Sequence, residues 1–133
     1  MCGICGFSGI GNRDNLHRMM NSMPYRGPDG DGQWHDGGNN YLGHLRLAIV
    51  DMEGGTQPLE TEDGSLVVVF NGEIYNHHEL REQLESRGHR FKTDHSDTEV
   101  LLYGYKEWGM DLTKRLNGMW AFALIDQKNG FLW

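Results

Sequence analysis

The chain opens Met1-Cys2-Gly3-Ile4-Cys5-Gly6, and this opening has two incompatible readings. Cys2 and Cys5 have the spacing of a redox or metal-binding pair, while Cys2 alone stands one cleavage away from being the N-terminal residue. A Cys-x-x-Cys redox motif follows a strand and opens a helix, whose terminus lowers the pKa of the first thiol. Here only Met1 precedes Cys2. A zinc site would need two further ligands, and the 7 histidines supply candidates but no clear partner set. A free Cys is otherwise a small buried hydrophobe, which suits Cys5. Cys at position 2 is small enough for Met1 to be removed, and the freed α-amine, with a reference pKa of about 7.7 to 8.0, would lie beside its own thiol. That pairing makes a thiolate nucleophile with a built-in base and needs no histidine. The rest of such a site has only to supply oxyanion donors and groups that hold the substrate.

The totals narrow the class. At 133 residues the chain is long enough for one domain with its own core. Its 12 basic and 19 acidic side chains give a formal net charge of -7 without a basic cluster, which argues against nucleic acid. The longest apolar stretches, Leu66 to Phe70 and Met119 to Ile125, fall far below the roughly 20 residues that span a bilayer, so no membrane partner is expected. Without a disulfide framework or a secretory leader, the expected location is the cytoplasm.

Periodicity suggests the elements. The first residues suit a short strand, and Leu16, Met19, Met20 and Met23 repeat as the apolar stripe of a helix that Pro24 helps to end. Tyr25 to Gly32 is dense in turn residues. Gln33 to His35 and Tyr41 to Ile49 read as strands joined by Asp36-Gly37-Gly38-Asn39-Asn40. Leu66 to Phe70 has the continuous apolar character of a strand buried on both faces. Asn76 is placed to cap a helix carrying Leu80 and Leu84, with Gly88 as its stop. Ser96-Asp97-Thr98-Glu99 has the spacing of a capping box opening a helix through Val100, Leu101 and Tyr103. A short helical piece at Leu112 to Leu116, a buried strand from Met119 to Asp126 and a final strand after Asn129-Gly130 complete an α+β layered pattern.

Five strings taken in order carry a specific resemblance: Cys2-Gly3-Ile4; Tyr25-Arg26-Gly27-Pro28-Asp29-Gly30; Gly43-His44-Leu45-Arg46-Leu47-Ala48-Ile49-Val50-Asp51; Asn71-Gly72-Glu73-Ile74-Tyr75-Asn76; and Ser96-Asp97-Thr98-Glu99. This pattern resembles the class II glutamine amidotransferases, and most closely the glutaminase domain of asparagine synthetases. The resemblance implies an N-terminal-nucleophile hydrolase fold, a four-layer αββα sandwich of two antiparallel sheets. It implies hydrolysis of L-glutamine to glutamate and ammonia through a γ-glutamyl thioester on Cys2. Asn71 and Gly72 would be the oxyanion donors, an assignment that suits a side-chain NH2 followed by an unobstructed backbone N–H. Arg46 would grip the substrate carboxylate with its guanidinium fork, and Asp97 would take the substrate ammonium. Leu47, Ala48, Ile49, Val50 and Glu73 would complete the pocket. The Arg26-Gly27-Pro28-Asp29 loop is expected to order and cover that pocket, and His44, His77 and His78 to be structural, with His44 placed beside the pocket strand.

The same resemblance implies more chain than residues 1–133 contain, namely further strands and an ATP-binding synthetase domain or subunit that receives the ammonia. Residues 1–133 are accordingly expected to be a glutaminase domain incomplete at its C-terminus, with no synthetase domain present. It would need no cofactor or metal of its own, ATP and magnesium belonging to the synthetase domain. An uncapped strand edge near Trp133 leads to the expectation of a homodimer. The competing reading is a non-catalytic glutamine-binding or scaffold module built on the same fold.

Overall fold

The computed structural model describes residues 2–48 and 55–133. Its elements run β1 (Gly3–Ser8), α1 (Arg13–Asn21), β2 (Gly30–His35), β3 (Asn40–Arg46), β4 (Leu59–Glu60), β5 (Leu66–Ile74), α2 (His77–Ser86), α3 (Thr98–Trp108), β6 (Gly118–Asp126) and β7 (Phe131–Leu132). Short 3-10 turns occupy Pro24–Arg26 and Gly109–Lys114. One antiparallel sheet has the order β1-β3-β2 and the other β4-β5-β6-β7.

Side-chain alternation assembles four layers from these pieces. Successive strand residues point to opposite faces, and on β5 both faces are buried. Leu66, Val68 and Phe70 pack with Leu80 and Leu84 of α2 and with Val100 to Tyr103 of α3. Val67 and Val69 pack instead with Leu42 and with Ile4 and Trp34 of the other sheet. Leu16 and Met20 of α1 cover the outer face of that sheet through Leu45, Cys5, Phe7 and Tyr41. The order is therefore α1, sheet, sheet, then α2 with α3, which is the expected αββα sandwich.

Several local expectations are met and several are corrected. The Asp36 turn forms as read: Asp36 Oδ1 accepts from the Gly38 and Asn40 N–H groups at 2.7 and 3.2 Å, and His35 pairs with Tyr41. The first helix ends at Asn21, before Pro24, and starts on a capping box that the stripe does not reveal. Asn12 accepts from the Asp14 and Asn15 N–H groups at 3.0 and 3.3 Å, while Asn15 Oδ1 accepts from Asn12 N–H at 3.0 Å. Strand β2 begins at Gly30, inside the stretch read as loop, and β3 ends at Arg46 rather than Ile49.

Two predicted caps do not form. Asn76 makes no cap bond; its side chain donates to the Arg115 carbonyl and accepts from Asn117 N–H, both at 2.9 Å, tying α2 to the approach to β6. At α3 the flanking residue is Asp97 rather than Ser96, and Glu99 turns away from the terminus. Glu99, 2% exposed, accepts from the Lys92 and Thr93 N–H groups and the Thr93 hydroxyl at 2.7, 3.0 and 2.7 Å. A buried carboxylate needs several donors, and the preceding loop supplies three to the Glu99 carboxylate.

Leu84 is fully buried where α2 meets β5 and α3. Leu84→Ala is expected to remove about 2 to 5 kcal/mol of unfolding free energy in a urea titration.

Candidate functional site

The alternation that builds the layers also separates the two cysteines. Ile4 of β1 faces the second sheet while Cys5 and Phe7 face α1, and residues three apart on a strand point to opposite faces. Cys2 lines a cavity between the sheets; Cys5 packs among Met20, Leu16 and Leu45 on the far side. Both are free thiols, and burial pushes the Cys5 thiol above its ordinary pKa. The redox or zinc reading of the pair is thereby excluded on geometry. No group of three or more His, Cys, Asp or Glu side chains able to hold a metal ion occurs among the described residues.

The cavity, about 180 Å3, lies where the ends of β3 and β5 approach the start of α3. Its wall brings together Cys2, Arg46, Leu47, Asn71, Gly72, Glu73 and Asp97, residues from distant parts of the chain. Ala48 is not in that wall; its N–H donates to Asp29 Oδ2 at 2.8 Å. Ile49 and Val50 lie outside the described residues.

The nucleophile candidate is held from two directions. Leu47 N–H points at Cys2 Sγ at 3.4 Å, and the thiol faces the Leu47 carbonyl at 3.6 Å. Arg26 Nη2 donates to the Cys2 carbonyl at 3.0 Å. Asp29 N–H donates to the Arg46 carbonyl at 3.0 Å, so the turn-rich loop clamps both Cys2 and the end of β3. The expectation that this loop orders and covers the pocket is met in part: it orders Cys2 and the end of β3 through backbone contacts but is not part of the cavity wall.

Asn71 and Gly72 follow the buried run of β5 directly. Gly72 has φ +156°, and a Cβ there would lie 2.2 Å from the Met119 carbonyl oxygen and 2.6 Å from Trp120 Cα. Only glycine lets β5 approach β6 so closely beside the cavity. The Asn71 Oδ1 atom is buried without a partner among the described residues.

Asp97 bridges the strand end and the helix start. Its Oδ2 accepts from Ile74 N–H at 3.0 Å, which is why no helix cap bond forms. Burial pushes its carboxyl above the usual carboxylate range, opposed by the Ile74 N–H and the nearby His77 and assisted by the negative charge of Glu73. An arriving cation would be welcome there, because it would offset the cost of burying the charge.

His44 lies on the inner face of β3 and is 1% exposed. Burial, with the Arg46 charge adding to it, lowers its pKa to about 4, against the opposing pull of the Phe70 carbonyl. The ring is therefore neutral at pH 7, and its Nε2 has no partner among the described residues. A site with a thiol, a guanidinium, two carboxylates and an amide in one wall suits a zwitterionic amino acid whose reactive end reaches the thiol.

Sequence reasoning passed over Gln57, Phe70, Ser96, Thr98 and Met119, which also line the cavity. Ser96 and Thr98 flank Asp97 in a quoted string, but Gln57 stands in a segment with no periodicity to place it.

Comparison with known proteins agrees with this geometry. The family model described as a glutamine amidotransferase domain matches residues 1–133. Asparagine synthetase [glutamine-hydrolyzing] 1 of Bacillus subtilis is 43% identical over 140 residues, spanning 98% of this chain and 22% of the relative. Its counterpart of the same name in Arabidopsis thaliana is 41% identical over 138 residues, spanning 99% of this chain and 23% of the relative. The chain thus covers under a quarter of these relatives' length. Among solved structures, the glutamine phosphoribosylpyrophosphate amidotransferase of B. subtilis superposes with a TM-score of 0.71 over 95% of this chain and 35% of its own, at 24% identity. That likeness supports the same fold. With the match extending over its whole length, the chain belongs to the glutamine amidotransferase domain family.

Proposed function

We propose that this domain hydrolyses L-glutamine to L-glutamate and ammonia, with Cys2 as nucleophile. The observation that carries this reading is the meeting of Cys2, Arg46, Asn71, Gly72, Glu73 and Asp97 around one cavity. The Arg46 guanidinium takes the substrate carboxylate and Asp97 its ammonium, with Leu47 and Glu73 shaping the pocket.

The steps follow from the groups present. Once Met1 is removed, the Cys2 α-amine accepts the thiol proton and the sulfur attacks the carboxamide carbon of glutamine. The carbonyl oxygen becomes an oxyanion between the Asn71 side-chain amide and the Gly72 N–H. Collapse breaks the C–N bond, and the α-ammonium returns its proton so that ammonia leaves. Water then gives a proton to the α-amine and attacks the thioester, and glutamate departs as the sulfur leaves. None of these steps draws on a metal or cofactor.

By similarity to the asparagine synthetases, we place residues 1–133 as the glutaminase part of such an enzyme. The ammonia would pass to an ATP- and magnesium-dependent synthetase region that amidates its acceptor, in the cytoplasm. No helix among the described residues is long and apolar enough to cross a membrane.

We further propose a homodimer formed through the strand edge near Trp133. Strand β7 pairs with Ile125 and Asp126 of β6, and Trp133 exchanges two backbone hydrogen bonds with Leu124, both at 2.9 Å. A second copy adding a strand at that edge would pair its open backbone groups. Light scattering is expected to show a mass that doubles with concentration, and a strict monomer at high concentration overturns the dimer.

Three measurements test the catalytic reading. Intact mass should show loss of Met1. Ammonia release from glutamine should be abolished by Cys2→Ala and reduced roughly 100- to 1000-fold by Asn71→Ala. Retained Met1 with no turnover would instead favour the non-catalytic module. Because the Asp97 carboxylate binds the ammonium and its pKa is raised, KM for glutamine should climb as pH falls, starting above the ordinary carboxylate range. Asp97→Asn should raise KM roughly 30-fold or more at neutral pH and flatten that acidic limb.

A further inference from the structure

Gln57 is 7% exposed and contacts three layers of the site. Its Oε1 accepts from the Phe70 N–H at 2.6 Å, and its Nε2 donates to Thr98 Oγ1 at 3.4 Å. Its carbonyl oxygen rests on β2, where a Cβ at Gly32 would come within 1.9 Å of it. The antiparallel register that sets Leu59 opposite Val68 and Glu60 opposite Val67 places Gln57 opposite Phe70, but the β4 pairing has ended by then. The Gln57 carboxamide therefore supplies the Phe70 N–H of β5 with the acceptor that the β4 backbone no longer offers.

The positions at its two ends give this brace a role. Phe70 directly precedes the Asn71-Gly72 pair, and Thr98 directly follows Asp97. We propose that Gln57 is a positioning residue that sets the span between the oxyanion donors on β5 and the Asp97 carboxylate at the start of α3. That span is the length of amino-acid amide the cavity accepts, so Gln57 acts on discrimination between glutamine and its one-carbon-shorter homologue asparagine. The inference rests on the glutaminase reading for its substrate, while the brace itself can be measured without turnover.

Gln57→Met keeps the side chain's length and removes both hydrogen bonds. Thr98→Val removes the far end alone and serves if Gln57→Met does not fold. The full chain of each variant would be compared with the parent in three ways: kcat/KM for glutamine and for asparagine, amide hydrogen exchange, and alkylation of Cys2 by iodoacetamide. The expected result is a fall of roughly 10- to 100-fold in kcat/KM for glutamine, with a smaller loss for asparagine so that discrimination narrows. Exchange should quicken about tenfold at Phe70 to Gly72 and at Thr98, with iodoacetamide reactivity within about twofold of the parent.

Unchanged discrimination with unchanged local exchange overturns the proposal. So does an equal loss toward glutamine, asparagine and iodoacetamide with exchange quickened across all of β5 and β6, which is what a merely structural residue produces. A parent chain without glutaminase activity would count against the functional reading alone, because local exchange and iodoacetamide reactivity would still report on the brace.

Discussion

Strand β5 has to be covered on both faces, and most of the site's geometry descends from that requirement. Val67 and Val69 need the second sheet, while Leu66, Val68 and Phe70 need α2 and α3. Burying these side chains is the main gain available to a chain of this size, and it brings β3 and α3 to opposite sides of one strand. Where the apolar run stops, at Asn71 and Gly72, the two sheets and the helix end leave a cavity between them. The polar residues near the ends of β5 and β3 and at the turn into α3 then share one wall although the three segments are far apart in sequence.

The cavity's polar groups are kept at a cost that the backbone offsets. Asp97 is buried enough to have its pKa raised, yet it is anchored by the Ile74 N–H. His44 is kept neutral by burial and by Arg46. Arg26 and Asp29 spend their polarity on the carbonyl of Cys2, the N–H of Ala48 and, through Asp29 N–H, the carbonyl of Arg46. Two residues of the cavity wall, His44 and Asn71, keep a buried polar atom without a partner among the described residues.

Local sequence signals and tertiary demands disagreed mainly at polar residues. Asn76 and the Ser96-to-Glu99 string have the residue types of helix caps, but their side chains found partners elsewhere in the fold. A cap bond is one option among several for a short polar side chain, and a buried loop N–H with no other acceptor competes strongly for it. Apolar periodicity was safer: Leu80, Leu84, Leu16 and Met20 lie where their spacing put them, because an apolar side chain has only burial to seek.

By itself, the sequence determined the element types, the two-faced burial of β5 and the chemistry on offer, since each depends on residue type and period along the chain. Its ordered strings also identified Cys2, Arg46, Asn71, Gly72 and Asp97 as candidates. Only the tertiary structure decided that Cys2 enters the cavity wall while Cys5 packs against α1, because which face of β1 meets the second sheet is settled by packing. The fold alone also decided that Gln57 joins β5 to the start of α3, because its partners at Phe70 and Thr98 come within reach only when the sheets and helices have packed. Short-range pattern reports what a segment prefers; hydrogen bonds across 13 and 41 residues are made by packing.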